Sequence, residues 1–276
     1  MSKKIINFVG KARYFLFFSL IITFISLFLL ITKGLNLSLD FTGGTIIDFS
    51  SKEENIVQEI KKLYGDVEIQ KKEGGFLMKL GKSEEVSNLE PLKALPLTIN
   101  KMDFIGPKVG AEFTVQAVKA VTLALIAMFI YVWIRFNWSF ALGVFIALFH
   151  DLIMTLGFFS LTGYSFDLTS IAVLLTVVGY SINDSIVIYD RIRENLPLQL
   201  DKVSMINRSL NETLSRTIMT SLTTLIVCLA LVVFGGESLR GFSAALSFGI
   251  AFGTYSSIYI SAPILLFFKN NFNEKK

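Results

Sequence analysis

The sequence predicts an α-helical membrane bundle of six transmembrane helices, with a small ferredoxin-like α+β extracytoplasmic domain between helices 1 and 2. Three observations predict it. The chain of 276 residues is 53% hydrophobic and only 17% charged, more apolar surface than a water-facing domain of this length uses, so lipid must cover the excess. Its apolar residues gather into six runs, each near or beyond the roughly 18 residues that cross a bilayer. Between the first two runs lies one long polar interval, Leu35 to Gly110, unlike the rest of the chain.

Taken in order, the first run is Tyr14–Ile31, preceded by Lys3, Lys4, Lys11 and Arg13. Lys33, Gly34 and Leu35 follow it in place of a small-x-small cleavage site, so it reads as an uncleaved helix rather than a signal peptide. Residues 1–34 are therefore assigned to a cytosolic N-terminus and helix 1, 35–112 to the α+β domain, 113–270 to helices 2–6 and 271–276 to a cytosolic tail. Within the polar interval, Gly44–Phe49 is β-rich, and Ile56, Ile60 and Leu63 repeat at helical spacing. Asp66–Lys72 and Phe76–Leu80 flank Glu73-Gly74-Gly75, a hairpin signal. Glu84–Leu95 reads as a short helix ended by Pro96, and Leu97–Ile105 as a last strand. That order suits a ferredoxin-like domain. The remaining apolar runs are Val115–Ile134, Phe140–Leu161, Leu168–Tyr189, Thr217–Phe234 and Phe242–Phe268, the last predicted to tilt or kink because it contains Pro263.

Charge sets the orientation. Arg135, Arg191, Arg193, Lys202, Arg208, Arg216 and Lys269 fall on the same side as the basic N-terminus, whereas the short loops Thr162–Asp167 and Gly235–Gly241 hold only Arg240. The positive-inside rule then predicts both termini in the cytosol and the α+β domain outside. Trp133 and Trp138 bracket Arg135 as an interfacial belt. The net charge of +4 sits at the edges of apolar segments rather than in one stripe, which fits a lipid bilayer and no nucleic-acid partner. The single Cys, Cys228, can form no internal disulfide, and its apolar setting reads as packing.

Polar residues inside the spans are the exceptions that carry information, because a carboxylate at the centre of a span costs about 2.5–3.5 kcal/mol on insertion scales. Asp151 follows His150 near the middle of the third run, and Asp184 lies in the fourth. Tyr180, Asn183, Asp184 and Val187 share a helical face, so their polar groups are expected to point together into the bundle. Asp184 sits about 8 Å inside the Tyr189 end, at about 1.5 Å per residue, and Arg216 opens the next run on that side. Burial favours a neutral carboxyl and a nearby guanidinium favours a charged one. A helix shift that changes the Asp184–Arg216 separation would then bind and release a proton. Two readings stay open for each: Asp184 and Asp151 as coupling or as purely structural groups, Arg216 as a coupling partner or as a topology anchor. Thr217, Thr220, Ser221 and Thr224, and Gly249-x-x-x-Gly253 with Thr254, Ser256 and Ser257, read as helix-packing faces. No metal site is expected around the only His, and no cofactor.

Several strings resemble one known family. Leu39-Asp40-Phe41-Thr42-Gly43-Gly44-Thr45 resembles the signature that opens the outer domain in the SecD/SecF family. Gly179-Tyr180-Ser181-Ile182-Asn183-Asp184-Ser185, continuing to Glu194, is similar to its fourth-helix motif, with Ser185 where Thr is commoner. Ser215-Arg216-Thr217 with Thr220–Thr224 is similar to its fifth-helix motif, and Ile105–Gly110 to the domain's exit into helix 2. The resemblance spans nearly the whole chain. It implies one half of an RND-type pair whose small outer domain marks it as the partner of the larger subunit, SecD. It further implies the SecYEG translocon and a preprotein substrate as partners, and assistance to export driven by the proton or sodium gradient. Carried over by position, Asp184 matches the family's ion-coupling acid, Arg216 a basic residue near that pathway, and Asp40, Gly43 and Gly44 the outer-domain signature; Asn183 and Asp151 are taken with Asp184 and Arg216 as ion-coupling candidates. The alternative is an RND-type half-transporter for small or lipidic substrates. An intramembrane enzyme is not expected, since the chain has no HExxH and neither Asp lies in a Gly-x-Gly-Asp context.

Overall fold

Among the described residues of the computed structural model, six helices are long and apolar enough to cross a membrane: α1 (Phe8–Thr32), α5 (Pro107–Arg135), α6 (Trp138–Thr162), α7 (Leu168–Asn195), α8 (Lys202–Phe234) and α9 (Gly236–Ser256), the last continuing through further turns to Phe267. The structure describes residues 6–51, 53, 55–65, 67–72, 75–81 and 90–268. The protein is a multi-pass membrane protein, and it divides into two units. The first gathers Met1–Asn36, Ala120–Tyr164 and Thr169–Lys276, and the second Leu37–Lys119 with Ser165–Leu168.

In the first unit α6, α7 and α9 form the centre. Half or more of the most apolar stretch of each is buried, against 17% or less for α1, α5 and α8. Small residues let the central helices approach. A Cβ added at Gly249 on α9 would lie 2.2 Å from Val177 Cγ2 on α7, and one at Gly157 on α6 2.5 Å from Ser26 on α1. Helix ends carry their own signals. Asn137 caps α6 by accepting from the Phe140 N–H, and Gly163 closes it in the left-handed region at φ 73°. Asp201 caps α8. The break expected in the last run occurs just before the proline: Ser257–Ser261 widen into a π turn, ahead of a short helical turn, α10 (Ala262–Ile264). Pro263 has no N–H to return to the carbonyl four residues back, and its ring crowds that carbonyl, which the wider turn relieves.

The second unit holds the turn α2 (Leu39–Thr42), β1 (Gly44–Ser50), α3 (Ile56–Tyr64), β2 (Glu68–Lys72), β3 (Gly75–Leu80), the turn α4 (Glu90–Lys93) and β4 (Thr98–Ile105). The sheet is antiparallel in the order β2-β3-β1-β4, the ferredoxin-like arrangement. Alternation along β1 points Ile47 and Phe49 at α3, whose Ile56 and Ile60 meet them with Met78 and Leu80 of β3 in a fully buried core. Of the helix expected over Glu84–Leu95, residues 84–89 lie outside the described residues and Glu90–Lys93 is helical. The expected turn residues Glu73 and Gly74 also lie outside them; the flanking strands pair through Lys72 and Gly75.

Candidate functional site

Two carboxylates are buried in the central helices of the first unit, and their surroundings differ. Asp151 on α6 has no exposure. Its Oδ2 accepts from Ser181 Oγ of α7 at 2.6 Å and from Ser256 Oγ of α9 at 2.7 Å. Its Oδ1 lies 3.0 Å from His150 Nδ1, while His150 Nε2 lies 2.7 Å from Ser19 Oγ of α1. One carboxyl thus joins α6, α7 and α9, and through the imidazole α1. A carboxylate can only accept, so beside a charged Asp151 the imidazole donates from Nδ1 and accepts the Ser19 hydroxyl at Nε2. Along the same seam Ser257 Oγ donates to the Ser181 carbonyl at 3.1 Å, and Tyr189 Oη donates to the Ser261 carbonyl at 3.0 Å.

Asp184 on α7 is also buried, but among the described residues its Oδ2 has no hydrogen-bond partner. The hydroxyls of Ser221 on α8 and Thr254 on α9 flank the carboxyl and bond each other at 2.6 Å. Thr217 Oγ1, one turn earlier on α8, is a second buried polar atom without a partner among the described residues. The Arg216 guanidinium acts on the carboxyl electrostatically, yet among the described residues no ion pair joins them, and Arg216 is exposed. Tyr180, one turn along α7, donates its hydroxyl to the Thr220 carbonyl at 2.8 Å and pairs with Thr224, which fastens α7 to α8. The arrangement is a carboxyl in an apolar bundle with hydroxyl oxygens around it, one free lone-pair site and a cation within electrostatic range. It can bind a proton or a small cation and release it when the guanidinium moves.

Asn183 does not join this group. One residue is a 100° step around a helix, and Asn183 faces outward on α7 together with Ala172 and Thr176, all three exposed, while Gly179 on the same stripe has open space beside it. Ser221 and Thr254 are the contributors that sequence reasoning passed over as packing faces. Their hydroxyl spacing was visible, but the carboxyl they would meet was not.

The signature residues lie in the second unit. Gly43 and Gly44 have φ of 74° and 147°. A Cβ on Gly44 would stand 2.3 Å from the Leu80 carbonyl oxygen, and one on Gly43 3.0 Å from the Ile105 carbonyl oxygen. Glycine is required at both for conformation and for space. Asp40 Oδ2 accepts from the Leu168 N–H at 3.2 Å.

Comparison with known proteins places these features in a lineage. Residues 86–271 match the family described as protein export membrane protein SecD/SecF, C-terminal, and residues 28–53 match the SecD/SecF GG motif. The chain is 42% identical to the protein translocase subunit SecF of Rickettsia felis over 94% of its own length and 90% of that protein's. It is 40% identical to the SecF subunit of Calditerrivibrio nitroreducens over 96% and 94%. The crystal structure of SecDF from Thermus thermophilus superposes with a TM-score of 0.84 at 40% identity, over 96% of this chain and 39% of that one. A SecDF structure in a super-membrane-facing form gives 0.77, also at 40% identity, over 97% and 39%. The chain thus spans about two-fifths of the SecDF chains and nearly all of the SecF subunits.

Proposed function

Because the chain belongs to the SecD/SecF family of protein-export membrane proteins, we propose that it is the smaller subunit of a SecDF-type complex in the bacterial cell membrane. It uses the transmembrane ion gradient to help preproteins leave the Sec translocon. The observation that carries this reading is the unpartnered Oδ2 of buried Asp184, flanked by Ser221 and Thr254 with Arg216 in range. A charged carboxyl left like this in a bundle is unfavourable, and binding a proton or sodium ion relieves it. One such charge moving down 100 mV releases about 2.3 kcal/mol, enough to bring a two-state equilibrium whose gap is of that size to even populations.

Asp184 is the ion carrier in this scheme and Arg216 the cation that competes with the ion. Asp151 holds the α6–α7–α9 seam in which Asp184 moves. The work is shared with a SecD-like half. The outward stripe Ala172, Thr176, Gly179 and Asn183 on α7 suits a close-packed partner helix, since small residues allow approach and an amide facing lipid would lack hydrogen bonds. Basic residues clustered at one set of helix ends support cytosolic termini and an external second unit, with SecYEG and the emerging preprotein as neighbours.

Asp184→Asn keeps shape and removes the charge. Export into membrane vesicles that depend on this chain, measured with and without an imposed gradient, is expected to lose its gradient-dependent part at normal protein abundance. A normal gradient response in that variant defeats the reading.

A further inference from the structure

The Asp of the outer-domain signature has a partner that lies 128 residues away in the chain. Ser38 starts α2 by accepting from the Asp40 N–H at 3.3 Å, and Asp40 then turns its Oδ2 to the N–H of Leu168 at 3.2 Å. Leu168 is the first residue of α7, the helix that carries Asp184. The contact has reinforcements within the same unit. Ser38 N–H donates to the Phe166 carbonyl at 2.9 Å, Leu37 bridges Phe166 in parallel, and the Phe41 ring stacks on Phe166 at 5.8 Å. The start of α5 abuts the same turn: a Cβ on Gly110 would be 2.7 Å from the Phe41 carbonyl oxygen.

These contacts centre on α2. The second unit joins the first covalently at Asn36–Leu37, within α5 at Lys119–Ala120, and on both sides of Ser165–Leu168. The segment after α1, the first turns of α5 and the residue that opens α7 all meet α2. From Leu168, α7 runs without a break past Asp184 to Asn195. A continuous helix moves as a stiff body, so a displacement of its first turn reaches the carboxyl roughly 24 Å along at about 1.5 Å per residue.

We propose that Asp40 is a positioning residue for energy coupling: its carboxylate holds Leu168, the residue that opens α7, within the second unit. Ion binding and release at Asp184 and movement of that unit are thereby made one event. The inference rests on the export reading above. A carboxylate suits the post because it accepts from a backbone N–H at a helix start, where the amide is otherwise without an intrahelical partner and the helix dipole favours negative charge.

The test separates ion movement from export. In vesicles carrying the assembled complex, Asp40→Ala is expected to keep ion flux within about twofold of the parent while gradient-driven export falls about tenfold, the scale one charge-assisted hydrogen bond can carry. Asp40→Asn, whose amide oxygen still accepts from Leu168, recovers most of the export. Asp184→Asn in the same vesicles loses flux and export together. Normal export in Asp40→Ala overturns the proposal, and so does a loss of flux equal to that in Asp184→Asn. Retained flux in Asp184→Asn instead overturns the underlying assignment of the ion carrier and leaves the Asp40 comparison readable. Should Asp40→Ala not accumulate, Phe166→Ala removes the ring stacked on Phe41, keeps the carboxylate, and must show the same split between flux and export.

Discussion

Replacing Asp151 by Ala removes the acceptor at the crossing of α6, α7 and α9, and the cost follows from what each former partner does next. Ser256 Oγ already lies 3.0 Å from the Gly253 carbonyl, so it keeps an acceptor. Ser181 Oγ has only the carboxylate and is left buried and unsatisfied. His150 retains Ser19 at Nε2 but loses its Nδ1 partner. Two orphaned polar groups at about 1–3 kcal/mol each predict a loss of about 2–6 kcal/mol. Asp151→Asn should cost far less. Its amide oxygen still accepts from the serines, and a change of imidazole tautomer lets His150 Nδ1 accept the new N–H while Nε2 donates to Ser19. SDS titration of the protein in mixed micelles, followed by the fluorescence of Trp133 and Trp138, reads both variants against the parent. Equal midpoints for Asp151→Ala and Asp151→Asn would show that these hydrogen bonds do not hold the seam.

Gly249→Ala forces a Cβ to within 2.2 Å of Val177 Cγ2, and a β-branched side chain on a helix has one comfortable rotamer. It should lose about 1–3 kcal/mol in the same titration, while Gly253→Ala, whose Cβ meets Ser181 Cβ at 3.2 Å, loses less; the reverse order would contradict the packing described. Asp201 caps α8, and its hydrogen bonds with Ser204 hold its carboxyl below the usual range. Its folded value is depressed, so its contribution is present above the unfolded value of about 4 and fades as pH falls through the lower folded one. The stability difference between the parent and Asp201→Ala, measured by the same titration from pH 6 downward, should therefore shrink below about pH 4. A difference constant with pH would argue against the cap.

Hydropathy is a local and additive property, which is why the six spans and the polar interval could be read directly. The order of strands and helices in the second unit was legible too, because Ile47 and Phe49 alternate while Ile56 and Ile60 repeat at a helical period. Helix extent was less so. The run expected to open at Thr217 belongs to a helix that starts at Lys202, and its first turns are polar because Asn207 hydrogen-bonds Asn7, and Glu212 binds Arg191 and Arg208. Such turns carry no apolar signal. Helical spacing grouped Asn183 with Asp184, yet a 100° step separates an outward amide from an inward carboxyl, and only the neighbours decide where that line falls. Leu168, which Asp40 holds, and the two serines that donate to Asp151 lie 30 to 128 residues away, and no periodicity in one strand of sequence encodes them.

The wide turn at Ser257–Ser261 also decides which way the end of the helix faces. A π turn takes in one residue more than an α turn, so the same residues wound as regular α-helix would swing everything beyond it by about 100°. Ser261, whose carbonyl receives the Tyr189 hydroxyl, and Ala262 and Leu265, both without exposure, would then face the wrong way. The turn absorbs the extra residue, so deleting one residue within it should leave a plain α turn and the helix beyond facing as it does now.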